Sequence, residues 1–233
     1  MQTPPNYMAY DRTIVVFSPD GRLLQVEYAR QAVKRGTTAA SLVIDKGVVL
    51  GATKSSAPLS VSDTYKKIFL IDEHIGIVGS GILADARYLV DIARVRAQIH
   101  RITYGEPIST HTLAKYIANQ KHMATQYAGL RPFGIGLLIA GVDNNGPSIY
   151  ETDPSGTILQ WKAQAIGRGA EKAKKVIKAG FKEKMSVKEG LKLLVKALKE
   201  GEKGITKENI EIALITEKGH KKISPEEIEK VEG

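Results

Sequence analysis

The residues that could carry chemistry in this chain are scattered, and few of them complete a recognisable constellation. Five histidines, at positions 74, 100, 111, 122 and 220, show no i, i+4 pairing of the kind that grips a metal ion. There is no cysteine, which removes disulfides and thiolate metal sites and leaves the redox compartment open. Gly79-Ser80-Gly81 and Gly167-Arg168-Gly169 pair glycines without completing a dinucleotide or phosphate-loop fingerprint. They read instead as tight turns at strand–helix junctions. Asp143-Asn144-Asn145-Gly146 opens like a calcium loop but lacks the later acidic ligands, and reads as a turn. Neither a metal nor a cofactor is expected.

Charge is the other chemical feature. The 233 residues carry a formal net charge of +9, which could suit nucleic acid or another anionic partner. Much of the excess lies between Lys172 and Lys199, in a helical rhythm. Lys188, Lys192, Lys196 and Lys199 fall opposite Val187, Leu191, Leu194, Val195 and Leu198, as the solvated face of an amphipathic helix does. Glutamates are interspersed and stacking aromatics are not, so a nucleic-acid groove is disfavoured and a basic binding module is the weakest of the function classes considered. The opening MQTPPNYMAYDR lacks the pattern of a secretory signal, and no apolar run approaches the ~20 residues that span a bilayer. A soluble, intracellular protein with no membrane partner is expected.

The elements that must position any site follow from periodicity and turn chemistry. Thr13–Phe17, Ala39–Ile44 and Val48–Thr53 are rich in β-branched residues, and Asp45-Lys46-Gly47 between the last two signals a hairpin. Ile68–Asp72 and Ile75–Gly79 form a second hairpin around Glu73-His74. Helices are expected over about Ala84–Ile102 and Ser109–Tyr127, the second with Ser109 and Thr110 as candidate N-caps. Strands follow over Gly134–Val142, Ser148–Thr152 and Thr157–Ala165, then helices over Ala170–Phe181 and Val187–Glu200, the latter opened by the capping box Ser186-x-x-Glu189. Asn209–Thr216 reads as a late strand, and Ser224-Pro225 with Glu227 starts a terminal helix. Hairpin-linked strands alternating with paired helices argue against a doubly wound parallel sheet. They fit one α+β domain of two antiparallel sheets packed face to face, each covered by helices.

The most specific stretch lies near the start. Tyr10-Asp11-Arg12 precedes Val16-Phe17-Ser18-Pro19-Asp20-Gly21-Arg22-Leu23-Leu24-Gln25-Val26-Glu27-Tyr28-Ala29-Arg30. Ser18-Pro19-Asp20 has the composition of a helix start, and Lys34-Arg35-Gly36 that of a helix stop, giving a helix over about 19–35. This stretch resembles the signature of proteasome α-type subunits, archaeal ones above all. Further segments match in order: Arg35-Gly36-Thr37-Thr38-Ala39, Ser80 to Arg87, Tyr127 to Gly134, Tyr150 to Gly156 and Ala165-Ile166-Gly167. Gln31 departs from the acid usual there, and 54–64 lacks an expected basic run.

The resemblance implies a four-layer αββα sandwich of the N-terminal-nucleophile hydrolase type, with an extra N-terminal helix. It implies a cytoplasmic, non-catalytic subunit in homo-heptameric rings. These rings cap catalytic β rings, admit unfolded protein substrates and dock an ATPase regulator through its C-terminal tails. Residues 1–12 become a mobile gating tail on a single domain spanning 13–233. Tyr10, Asp11, Arg12, Pro19 and Tyr28 become its gating cluster, and Lys67, Gly81, Ile82 and Leu23 an activator-binding pocket. The enzymatic alternative is a β-type threonine peptidase with Thr37 as nucleophile after propeptide removal and Lys67 as helper. Against it, Thr53 stands where that chemistry needs an aspartate, and Thr37 inside a peptide bond has no free amine.

Overall fold

The computed structural model describes residues 15–54, 59 and 66–232. It begins with an irregular stretch and then helix α1 (Leu24–Arg35), whose buried residues Leu24, Val26 and Ala29 lie one helical turn or less apart. Strands β1 (Ala39–Ile44) and β2 (Gly47–Thr53) follow, then β3 (Ile68–Asp72) and β4 (Ile75–Gly81). Helices α2 (Leu83–Tyr104) and α3 (Thr110–Ala124) precede β5 (Ile135–Asp143), β6 (Gly146–Thr152), β7 (Ile158–Trp161) and β8 (Ala163–Ile166). Helices α4 (Ala170–Gly180) and α5 (Val187–Gly201), strands β9 (Ile210–Thr216) and β10 (Gly219–Ile223), and α6 (Pro225–Glu232) complete the order.

The strands form two five-stranded sheets, ordered β10-β9-β2-β1-β8 and β3-β4-β5-β6-β7, and every neighbouring pair is antiparallel. Three apolar layers hold them. Val48, Leu50 and Ala52 of β2 meet Val78 of β4 and Leu138 and Ala140 of β5 between the sheets. The alternate residue Val49 turns the other way, with Leu42 of β1, onto Leu194 and Leu198 of α5. Ile77, Ile135, Leu137 and Ile139 pack against Leu89, Ala93, Leu113 and Ile117 of α2 and α3. Because the central strands are covered on both faces, β2 and β5 read as continuous apolar runs and not as alternating ones. The architecture is the expected αββα sandwich, with α1 laid across β4 and β5.

Three local expectations are corrected. The first helix begins at Leu24 and not near position 19. Ser18 spends its hydroxyl inside a turn, accepting from the Arg22 amide at 3.1 Å, and Gly21 at φ +76° breaks any helical continuation. Residues 15–17 form no strand and are exposed, so the expected strand over Thr13–Phe17 is not formed there. The segment Thr157–Ala165 is two strands and not one: at Lys162, whose carbonyl accepts from Val43, the chain leaves one sheet for the other. Strand β10 was not foreseen, because its exposed His220-Lys221-Lys222 reads as polar loop and only pairing with β9 makes it a strand.

Candidate functional site around Thr37 and the cleft beside the first helix

Between α1 and β1 the chain passes through Gly36, Thr37 and Thr38, and polar side chains converge there from distant parts of the sequence. The Lys67 amine donates to the Thr37 hydroxyl and to the Thr37 carbonyl, both at 2.7 Å. The hydroxyl in turn donates to the Thr53 carbonyl at 2.7 Å. Ser80 donates to the Thr37 carbonyl at 3.0 Å. Glu211 accepts from the Lys67 amide, and Glu202 accepts from both the amide and the hydroxyl of Thr38, each at 3.0 Å. Arg168 closes the set by donating to Glu202 at 2.8 Å.

Lys67 is only 2% exposed. Burial pushes its amine down to about 7, and the nearby Glu202 and Glu211 carboxylates only partly offset that. A hydroxyl 2.7 Å from such an amine has the arrangement that activates a threonine nucleophile. Two features differ from a free N-terminal threonine nucleophile. The Thr37 nitrogen is an amide joined to Gly36, so it cannot serve as a base. The Thr53 side chain supplies no carboxylate; its hydroxyl donates to the Thr38 carbonyl at 3.1 Å.

A cleft of about 510 Å³ opens on the other side of Gly36, lined by Tyr28, Gln31, Arg35, Gly36, Gly81 and Ile82. Its floor depends on two glycines in close approach. A Cβ on Gly36 would lie 2.3 Å from the Gly81 nitrogen, and one on Gly81 would lie 2.2 Å from the Gly134 carbonyl oxygen. Gly81 also holds φ +123°, so its glycine is required by the backbone itself. Helix α1, which forms one wall, is fixed by the Arg30 guanidinium on Asp153 at 2.7 and 2.9 Å. Although burial opposes ionisation of Asp153, bonds from Ser155, Arg30 and the Thr157 amide hold its carboxyl below the usual range.

The expected site residues therefore divide. Tyr28, Gly81 and Ile82 come together on the cleft. Lys67 does not line it; its amine lies beyond the Thr37 backbone, buried, and not on an open surface beside a strand. Leu23 is half-buried at the N-cap position of α1, and Pro19 is exposed in the turn before it. Tyr10, Asp11 and Arg12, with the whole tail 1–12, lie outside the described residues.

Glu202, Glu211 and Arg168 were not anticipated. Glu211 left a trace, a lone charge inside the apolar run Ile210–Thr216, whereas nothing in the sequence marks Glu202. Among the described residues no group of histidine, aspartate and glutamate side chains could hold a metal ion, and no helix is long and apolar enough to cross a membrane.

The comparisons with known proteins agree in extent with this single fold. The family profile for the proteasome subunit matches residues 33–215, and the profile for the N-terminal signature of the A-type proteasome subunit matches residues 10–32. A protein named as the proteasome alpha subunit of Pyrococcus horikoshii is 52% identical over 229 residues, covering 97% of this chain and 88% of its own. Proteins of the same name from Methanopyrus kandleri and Methanocaldococcus jannaschii are each 47% identical. They span 99% and 98% of this chain, and 95% and 88% of their own lengths. With its antiparallel sandwich, its first helix ahead of β1 and full-length identity near one half, the chain belongs to the proteasome subunit family, in its α-type branch.

Proposed function

We propose that this α-type subunit is non-catalytic and works as a ring-forming scaffold. Its copies close head-to-tail into homo-heptameric outer rings that cap rings of catalytic β subunits. The tail 1–12, with Tyr10, Asp11 and Arg12 at its base, gates the axial pore, and Pro19 and Tyr28 fix the turn and helix from which it springs. Unfolded protein substrates pass through, and an ATPase regulator docks its C-terminal tails beside α1. The observation that carries this reading is Thr37. Its nitrogen is an amide, and the helix ahead of it is packed on β4 and β5 and tied down through Arg30 and Asp153.

The cleft lined by Tyr28, Gly81 and Ile82 supports the docking proposal, since it is an open groove beside α1 with space for a chain end. In this reading Lys67 is the cation for the tail's terminal carboxylate, and engaging it means releasing a bond to Thr37. Leu23 borders the site at the start of α1. A cytoplasmic location goes with this reading and is supported by the family membership.

Co-purification with a β partner, followed by native mass measurement and labelling with a threonine-directed inhibitor, tests the proposal. The expected particle contains this chain at full length and unlabelled, with label confined to the partner. A chain that begins at Thr37 and carries the inhibitor would overturn it.

A further inference from the structure

The net charge of +9 is not spread evenly over the molecule. The hairpin of α4 and α5, residues 170–204, holds eleven lysines against five glutamates and contains no arginine and no aspartate. Lys172, Lys175 and Lys178 are exposed on α4, on the side away from its buried Ala173 and Ile177. Lys188, Lys192 and Lys196 are exposed on α5, opposite its buried Leu191, Leu194 and Leu198. The second row repeats at i, i+4, i+8, the spacing at which like charges repel along a helix and weaken it. The helix tolerates this pattern, which leaves a contiguous cationic face open to a partner outside the chain.

The rows also have an orientation. Gly169 and Gly201 meet at one end of the hairpin, where the Gly169 amide donates to Thr38 and the Arg168 amide donates to the Gly36 carbonyl. This end of the hairpin thus meets the Gly36–Thr38 segment, and the lysine rows run away from it over α4 and α5.

We propose that this two-row lysine face binds an acidic stretch of a partner polypeptide, laid across α4 and α5. The side chains select this occupant among anions. Nucleic acid favours arginine forks and stacking aromatics, but the face has no arginine, and its one aromatic residue, Phe181, is half-buried against the core. An anionic membrane favours apolar wedges beside the cations, and Val187 is the hairpin's one exposed large hydrophobic residue. Lysines on flexible stems suit a disordered run of glutamates and aspartates, whose charges need no fixed geometry. Capture of an acidic chain by the rows does not rest on the reading proposed above.

Fluorescence anisotropy of a short labelled oligoglutamate with the purified full-length chain tests this, at low and at physiological salt. Replacing Lys188, Lys192 and Lys196 together by Gln is expected to weaken binding about tenfold or more. Replacing the exposed Arg87, Lys115 and Lys218 by Gln removes the same charge from α2, α3 and the β9–β10 turn, outside the hairpin, and is expected to change binding by less than about twofold. Equal weakening by the two sets would show a response to net charge alone and overturn the proposal. So would failure of the intact chain to bind at low salt, or tighter binding of duplex DNA or of phosphatidylserine vesicles at the same salt. None of these outcomes depends on assembly or inhibitor labelling, so this inference and the scaffold reading fail separately.

Discussion

At the scale of single residues, the interior is organised by two buried lysines. Lys67 fixes Thr37, and Lys121 donates to the Ile135 carbonyl, the Thr152 carbonyl and the Thr152 hydroxyl at 2.8–3.0 Å. Each amine is pushed down to about 7 by burial, against an ordinary value of 10.5. Between those values the unfolded chain holds protons that the folded chain has released, so stability rises with pH across that window. Below about 7 both states are protonated and the burial penalty is fully present. Lys121→Met is therefore expected to flatten the stability–pH curve above neutrality, by up to about 1.4 kcal/mol per pH unit. Urea unfolding of both proteins through the window checks it, and parallel curves would contradict it. Gly81→Ala should be among the most disruptive small substitutions, since its Cβ would meet the Gly134 oxygen at 2.2 Å. A loss of several kcal/mol, read as a lowered urea midpoint, is expected from the combined clash and positive φ, and a change under about 0.5 kcal/mol would refute it.

At the scale of elements, side-chain capping was the most legible signal. Ser186 accepts from the Glu189 amide, and Glu189 returns a carboxylate to the Ser186 amide at 2.8 Å, as the capping box predicts. Ser109 caps α3 by accepting from the Thr112 amide, without the reciprocal bond, and Ser224 and Glu227 open α6 with a reciprocal pair. Ser186→Ala is expected to cost about 1 kcal/mol of stability, measurable by urea unfolding, while leaving the lysine rows exposed. No change in the unfolding midpoint would mean that tertiary packing alone sets where α5 begins. The same kind of signal misled at Ser18-Pro19-Asp20, where Asp20 takes the Ser18 hydroxyl at 2.5 Å in a turn and α1 starts five residues beyond Pro19 without a side-chain cap. Cap composition states that a backbone donor can be satisfied, and a hydrogen-bonded turn satisfies it equally well.

At the scale of the whole molecule, three stacked apolar layers hold the sandwich, and the cleft lies at the end where α1 and Gly36 meet β4. In the proposed gating role, the tail acts on passage and not on bond cleavage. Removing residues 2–12 is therefore expected to speed degradation of an unfolded protein several-fold in particles assembled with a β partner. Hydrolysis of short peptides should rise less, and the α chains should gain no activity of their own. Equal rates of protein degradation by intact and trimmed particles would contradict a gating role for the tail.

The sequence by itself determined the alternation of hairpins and helix pairs, the α+β class and, through the ordered matches from Tyr10 onward, the family. Each of these is written in local patterns: turn residues, caps, and periods of two or of three to four. It also marked Thr37 and Lys67 and the lysine rhythm of α5. The tertiary structure alone decided what these residues meet. It carried Glu202 to Thr38 across 164 positions and split 157–165 between two sheets. It also turned Lys67 inward onto Thr37 and away from the cleft. Such contacts join residues distant along the chain, and their geometry is set by how the sheets pack, which no local pattern encodes.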